Sequence, residues 1–235
     1  MNKILLEDNT SLKDLYFEED TIVIVNNITN CLNYYIKDNI RVFTLIMNTS
    51  LDLNLFIESD SICNVFSVNT SINVKIDLIK DSINFKYNYS TINSLDNLYN
   101  VDINHLSNNI HSKITSHGIN VNDSKLSFVV NTVVPKESLN IKTNQDSKIV
   151  ILGDNNSTIK PNLFIDNDDI EADHAAYIGK LKNEDLFYLE SRGISEENSK
   201  KLLIKAFLMG NLDITYEEKE IVLEKINEYW RWLYE

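Results

Sequence analysis

Between Ser71 and Ile79 the chain reads SINVKIDLI. Ile72, Val74, Ile76 and Leu78 fall on one side of an extended backbone, with Asn73, Lys75 and Asp77 on the other. That two-residue period marks a half-buried β-strand. Working outward, short β-rich runs recur from about residue 20 to 166: TIVIV (21–25), RVFTLIM (41–47), LDLNLFI (51–57), INFKYNY (83–89), LSFVVNTVV (126–134), LNIK (139–142) and KIVILG (148–153). Polar clusters such as Asn26-Asn27 and Asn155-Asn156-Ser157 separate them, as turns would. The chain has 33 asparagines against five glycines, and asparagine tolerates the left-handed backbone of tight turns. A sandwich, a barrel and a solenoid all fit this pattern. Hairpin turns of the Asn-Gly or Asp-Gly kind are absent, and asparagine suits solenoid corners, so the pattern leans to a parallel β-helix.

After Gly179 the period changes to a helical one. NEDLFYLES (183–191) opens with Asn183 as its expected cap and has Gly193 as a stop. Ser195 caps a second helix, EENSKKLLIKAFLM, that ends at Gly210, with Leu202, Leu203, Ala206 and Phe207 as its expected apolar stripe. Thr215 and Glu218 form a capping box for a third helix with Ile221, Leu223, Ile226, Tyr229, Trp230 and Leu233 on its apolar face. The expected organisation is a β core over 1–179, with residues 1–19 as a lead-in, and a three-helix region over 180–235.

The 235 residues carry 35 acidic and 22 basic side chains, a net charge of −13, which argues against nucleic-acid binding. Residues 161–235 hold 17 acidic and 9 basic side chains, so most of the excess lies in the last 75 residues. No glycine-rich nucleotide loop is present, no signal peptide is visible, and no apolar run approaches the ~20 residues of a membrane span. With Cys31 and Cys63 as its only cysteines, the chain reads as a soluble cytoplasmic protein without a disulfide framework.

Cys31 and Cys63 lack a CxxC partner and read as two small buried hydrophobes. DNDDIEAD (166–173) fails as a calcium loop, because Ile170 and Glu171 stand at its fifth and sixth positions, and reads as a solvated turn. His105, His111 and His117 recur every six residues and would share a face only on one continuous strand. His174 lies between the last β run and the first helix, with small residues after it that leave room for a ligand or partner. No Ser-His-Asp order or GxSxG supports nucleophilic hydrolysis.

The segment from Lys160 to Leu208, KPNLFIDNDDIEADHAAYIGKLKNEDLFYLESRGISEENSKKLLIKAFL, resembles the C-terminal signature of the SufB/SufD family of iron–sulfur cluster assembly scaffolds, and looks closer to SufD. A KP-x-L-x-I strand, an acidic turn, the small residues around His174 and the run LFYLESRGISEE (186–197) carry the resemblance. Weaker echoes lie at 105–112, 131–138 and 151–161.

The resemblance implies a right-handed parallel β-helix followed by a C-terminal helical region. It also implies a non-catalytic scaffold that pairs with a SufB-like or identical chain through the β-helix. The helices around Leu186, Phe187, Tyr188, Arg192, Gly193, Leu203 and Phe207 would dock a SufC-like ABC ATPase. A cysteine desulfurase or sulfur carrier would act indirectly. His174 aligns with an interface histidine implicated in cluster assembly, and His105 falls on a core histidine of relatives. A transient iron–sulfur cluster would be shared with the partner, whose thiolates are needed because Ala172 stands where many relatives have cysteine. The chain enters β-type text by residue 20, as a short member would. The alternatives are a degenerate SufD relative that only stabilises its ATPase complex, and a β-helix carbohydrate-active enzyme using Asp52 and Asp77.

Overall fold

A computed structural model of the chain describes residues 1–7, 13–28, 31–154 and 156–234. Among them, strands alternate between two all-parallel sheets. The odd sheet runs in the order β1 (Asn2–Glu7), β3 (Thr21–Asn26), β5 (Ile40–Met47), β7 (Ser61–Val68), β9 (Asn84–Asn93), β11 (His111–Val121), β13 (Ile141–Leu152) and β15 (Ile170–Gly179). The even sheet holds β2 (Lys13–Phe17), β4 (Cys31–Ile36), β6 (Ser50–Ile57), β8 (Ser71–Leu78), β10 (Asn97–His105), β12 (Leu126–Val134) and β14 (Thr158–Ile165). Each coil contributes one strand to each sheet, which makes a flattened parallel β-helix. The expected lead-in contains the strands of the first coil, β1 and β2.

Early coils repeat every 21 residues: Thr21 lies beside Val42, Cys31 beside Asp52 and Ser50 beside Ser71. Later ones lengthen until His111 pairs with Lys142, 31 positions on. The corners are made largely by asparagine. Asn27, Asn48, Asn69, Asn109, Asn122 and Asn140 all have left-handed backbone, with φ between 49° and 60°. Their short polar side chains lower the steric cost that keeps most residues out of that region. Asn155, read as part of a turn, lies outside the described residues.

Side chains alternate between the solenoid interior and its outside. The interior of the early coils is largely aliphatic and aromatic, with Val23, Tyr34, Val42, Leu53, Leu55, Val65, Val74 and Ile76 all buried. Among its polar exceptions, Ser67 and Tyr89 pair through their hydroxyls at 2.8 Å. The outer face of the even sheet carries amide and carboxylate ladders: Asn54 donates to Asn33 (2.8 Å), Asn104 to Asp77 (2.7 Å) and Asn162 to Asn131 (2.7 Å). The outer face of the odd sheet carries an apolar patch. Ile22, Phe43, Phe66, Ile92, Ile119 and Val150 form a second core there with Ile204, Leu208, Val222, Ile226 and Trp230 from the C-terminal helices.

Those helices are α1 (Asn183–Glu190), α2 (Glu196–Met209) and α3 (Tyr216–Tyr234). Polar clasps fix them to the sheet. Ser90 donates to Leu208 O (2.9 Å), Asn64 to Asp213 O (2.8 Å), and the Arg41 guanidinium pairs with Asp213 at 3.2 Å. Ser195 caps α2 through the Asn198 amide, Gly193 turns the chain at φ +85°, and Thr215 and Glu218 cap α3 reciprocally.

Several expectations need correction. LNIK and KIVILG belong largely to one strand, β13, because its polar centre TNQDS continues the ladder. Asn183 is the first helical residue of α1, and Lys182 precedes it without a side-chain cap. The buried stripe of α2 is Ser199, Ile204 and Leu208. Leu202 and Ala206 face solvent, while Leu203 and Phe207 are half-buried, because packing on the flat sheet selects one row at i, i+4. On α3, Val222 joins Ile226, Tyr229 and Trp230 in the core, Ile221 and Leu223 are half-buried, and the Leu233 side chain lies outside the described residues. The acidic stretch is only half a turn, since β15 begins at Ile170.

Candidate functional site

The last coil is open. The terminal strands β14 and β15 each pair with one neighbour, β12 and β13 respectively, and nothing among the described residues lies beyond them. Each therefore presents a free edge of backbone donors and acceptors. Register tells which side chains face inward. Thr143, Gln145 and Ser147 of β13 are buried inside the solenoid and pair with Ala172, His174 and Ala176 of β15. His174 is thus an inward-facing residue at an uncovered mouth, in the middle of a strand and not between elements as expected. It is exposed and flanked on its face by two alanines, and the even sheet contributes Leu163 and Ile165 to the same rim.

The coils beneath the mouth have a more polar interior than the early ones. His105, Ser112, Ser116, Thr132, Thr143, Gln145 and Ser147 are all buried there. His105 Nδ1 lies 3.2 Å from Val133 O, an acceptor only, so this nitrogen carries the proton and Nε2 accepts from Ser112 Oγ at 2.8 Å. Ser112 Oγ and Thr143 Oγ1 are hydrogen bonded in turn at 2.9 Å. Burial pushes the His105 imidazole down to about 4, the Val133 hydrogen bond opposing only in part, so it is neutral at physiological pH.

Gln145 is fully buried beside these groups. Its amide nitrogen donates to Thr132 Oγ1 (2.6 Å) and to Asn162 O (3.2 Å), while its amide oxygen has no partner. Leaving such an acceptor unpaired costs about 1–3 kcal/mol. Nothing in the sequence singled Gln145 out, because TNQDS looks like a turn. The signal was the register that places it beside His174.

The three spaced histidines are not brought together. A corner separates β10 from β11, so His105 points inward while His111 and His117 lie on the outer face of β11. His117 stacks on Phe207 (4.3 Å) and donates to Phe207 O (2.9 Å), binding α2 to the sheet. Burial lowers its pKa. Cys63 is buried inside, its thiol pushed up to about 12 by desolvation. Cys31 instead sits half-exposed on the outer even sheet, where it accepts from Asn54 (3.1 Å), because its position in β4 points outward. Burial, then Asp52 and Asp14, raise its pKa, so both thiols are protonated at neutral pH. Among the described residues no three His, Cys, Asp or Glu side chains converge as a metal site. Asp52 accepts from Asn73 (2.9 Å), and Asp77 accepts from Asn104 and pairs with Lys75 (3.1 Å), so each belongs to the ladders.

The helical residues split into two groups. Phe187 and Tyr188 are 73% and 58% exposed on α1, a helix with no buried residue, and Arg192 lies over the Tyr188 ring at 5.2 Å. Gly193 is exposed, whereas Leu186, Leu203 and Phe207 are half-buried. Leu203 and Phe207 line a groove of about 400 Å³ with Tyr177, Lys148 and Lys180.

The family model described as "SUF system FeS cluster assembly, SufBD core domain" matches residues 62–207. The chain is similar to the "Iron-sulfur cluster assembly protein SufD" of Bacillus subtilis (strain 168), at 37% identity over 82 residues, 33% of this chain and 19% of that protein. It is also similar to SufD of Escherichia coli (strain K12), at 35% over 71 residues, 29% of this chain and 17% of that protein. SufB of Bacillus subtilis (strain 168) matches at 33% over 106 residues, 44% of this chain and 23% of that protein. The matched segments thus span less than a quarter of each relative. With a parallel β-helix and a match over more than half its length, the chain belongs to the SufBD core family of SUF-system iron–sulfur cluster assembly proteins.

Proposed function

We propose that this chain is a non-catalytic scaffold subunit of a SUF-type assembly complex, working in the cytoplasm, with iron or a nascent cluster as its cargo. One observation carries the reading: in a SufBD-family chain, the last coil is open and aims His174 across its mouth. A second chain, SufB-like or identical, would complete the coil by adding to the free edges of β14 and β15. Family membership supports this partner class. A neutral His174 can offer one nitrogen to iron. Ala172 and Ala176 leave space beside the ring, and neither Cys31 nor Cys63 belongs to the terminal coils. Thiolate or sulfide therefore comes from the partner or from a sulfur carrier.

The exposed Phe187 and Tyr188 on α1 are the contact for a SufC-like ABC ATPase, with Leu186 and Arg192 supporting them and Gly193 setting the turn. Leu203 and Phe207 mainly hold α2 in place. Co-expression with such an ATPase tests this. The wild-type chain is expected to retain the ATPase on affinity capture, and Phe187→Ala/Tyr188→Ala to lose at least ten-fold of it. No capture by the wild type overturns the docking reading. The missing cysteine favours one alternative, a degenerate relative that only stabilises the complex. Anaerobic reconstitution of the complex with iron and sulfide decides between them, since equal cluster content in wild type and His174→Ala supports the degenerate role.

A further inference from the structure

Gln145 and His174 are register partners on adjacent parallel strands, and both side chains face the solenoid interior. Neighbouring strands lie about 4.8 Å apart, so the two side chains stack along the axis. The orientation of the Gln145 amide is determined by its surroundings. Asn162 O is a carbonyl and can only accept, so the NH2 group must face it, and the same group reaches Thr132 Oγ1. The amide oxygen is then the atom left over, fully buried and without a donor. On the other side of Gln145 the register partner is Ile114, which has nothing to donate. On the side of the mouth it is His174, whose ring makes no hydrogen bond among the described residues.

We propose that Gln145 is the positioning residue of the His174 site: its unpartnered amide oxygen takes the His174 ring N–H, fixing one tautomer and turning the other ring nitrogen out of the solenoid mouth. The inference rests on the reading of His174 as the metal-facing group. Metal-binding histidines are commonly held in this way by an acceptor on the second nitrogen, which sets ring orientation and raises ligand basicity. An amide oxygen fits the task inside a β-helix, since it accepts without adding a charge to a desolvated site. The ligand class is a divalent first-row metal ion bound through one imidazole nitrogen.

The test uses the full-length, metal-free protein labelled with nitrogen-15, at a pH of about 8. The chain has four histidines, so the His174 ring signals can be assigned by their loss in His174→Ala. Wild type is expected to show one dominant His174 tautomer and Gln145→Leu a mixture. An unchanged tautomer ratio in Gln145→Leu, with the other ring signals in place, overturns the proposal. Should Gln145→Leu fail to fold, Thr132→Val is the substitute. It frees the amide to rotate and is expected to weaken the same bias, and an unaltered bias again overturns the idea. Anaerobic titration with ferrous iron alone separates this inference from the reading beneath it. Gln145→Leu is expected to weaken binding by about 10–100-fold. If only His174→Ala weakens binding, Gln145 has no positioning role; if neither variant does, His174 is not the metal-facing group.

Discussion

The two ends of this solenoid are built to different rules. The early coils repeat every 21 residues and fill their interior with aliphatic and aromatic side chains. The last coils are up to ten residues longer, mix Ser, Thr, Gln and His into their interior, and have no cover among the described residues. Burial of an Ile or Leu side chain contributes about 1.5–3 kcal/mol, so each early coil adds a densely apolar layer to the core. The late coils hold polar groups that are satisfied only in part. The contrast places the cohesion of the fold at one end and its open chemistry at the other.

The largest effect should come from emptying the early interior. Ile76→Ala removes a fully buried side chain and is expected to cost about 2–5 kcal/mol in urea denaturation, whereas Ala176→Ser at the mouth should stay within about 0.5 kcal/mol. Similar losses at both sites would break the comparison.

A second effect concerns pH. The His105 pKa in the folded chain, about 4, lies below the ordinary 6.5, so between those values the unfolded chain binds a proton that the folded chain refuses. The His105 contribution is intact above about pH 6.5, declines by about 1.4 kcal/mol per unit as pH falls, and levels off below about 4, a loss of roughly 3 kcal/mol. His105→Gln should remove that component. Parallel stability–pH curves for the two proteins would show that the late interior tolerates a charge.

The smallest effect belongs to the corners. Asn48→Ala forces an alanine into left-handed backbone and should cost about 1 kcal/mol, while Asn48→Gly should be close to neutral. Equal melting temperatures for both variants would mean that the corner does not depend on backbone preference.

These faces also explain what could be read in advance. β6, β8 and β12 have one solvated side, and their alternation was plain in LDLNLFI, SINVKIDLI and LSFVVNTVV. β7 and β11 were missed because the interior covers one face and the helices cover much of the other, so SICNVFSV and HSKITSHGINV lose the two-residue period. β15 was missed for the opposite reason: its IEADHAAYIG is half-exposed or exposed along its whole length, and no alternation of burial shapes it. Asparagine corners were legible because the backbone requirement selects the residue directly. The room beside His174 was legible in its small neighbours and its interface role came from resemblance, while its inward orientation needed the strand register. The buried row of α2 depends on the flatness of the sheet beneath it, which no local pattern encodes.

The asparagine corners also bear on how this protein ages. An asparagine loses ammonia when the backbone nitrogen of the next residue attacks its side-chain carbonyl, and a glycine in that next position leaves the route open. Here the followers are Ile28, Thr49, Thr70, Ile110 and Ile141 at five corners and Asp123 at the sixth. Five of the six are β-branched and crowd the attacking nitrogen. A fold that turns on asparagine where others turn on glycine thus carries, in the neighbouring residue, its own protection against chemical wear.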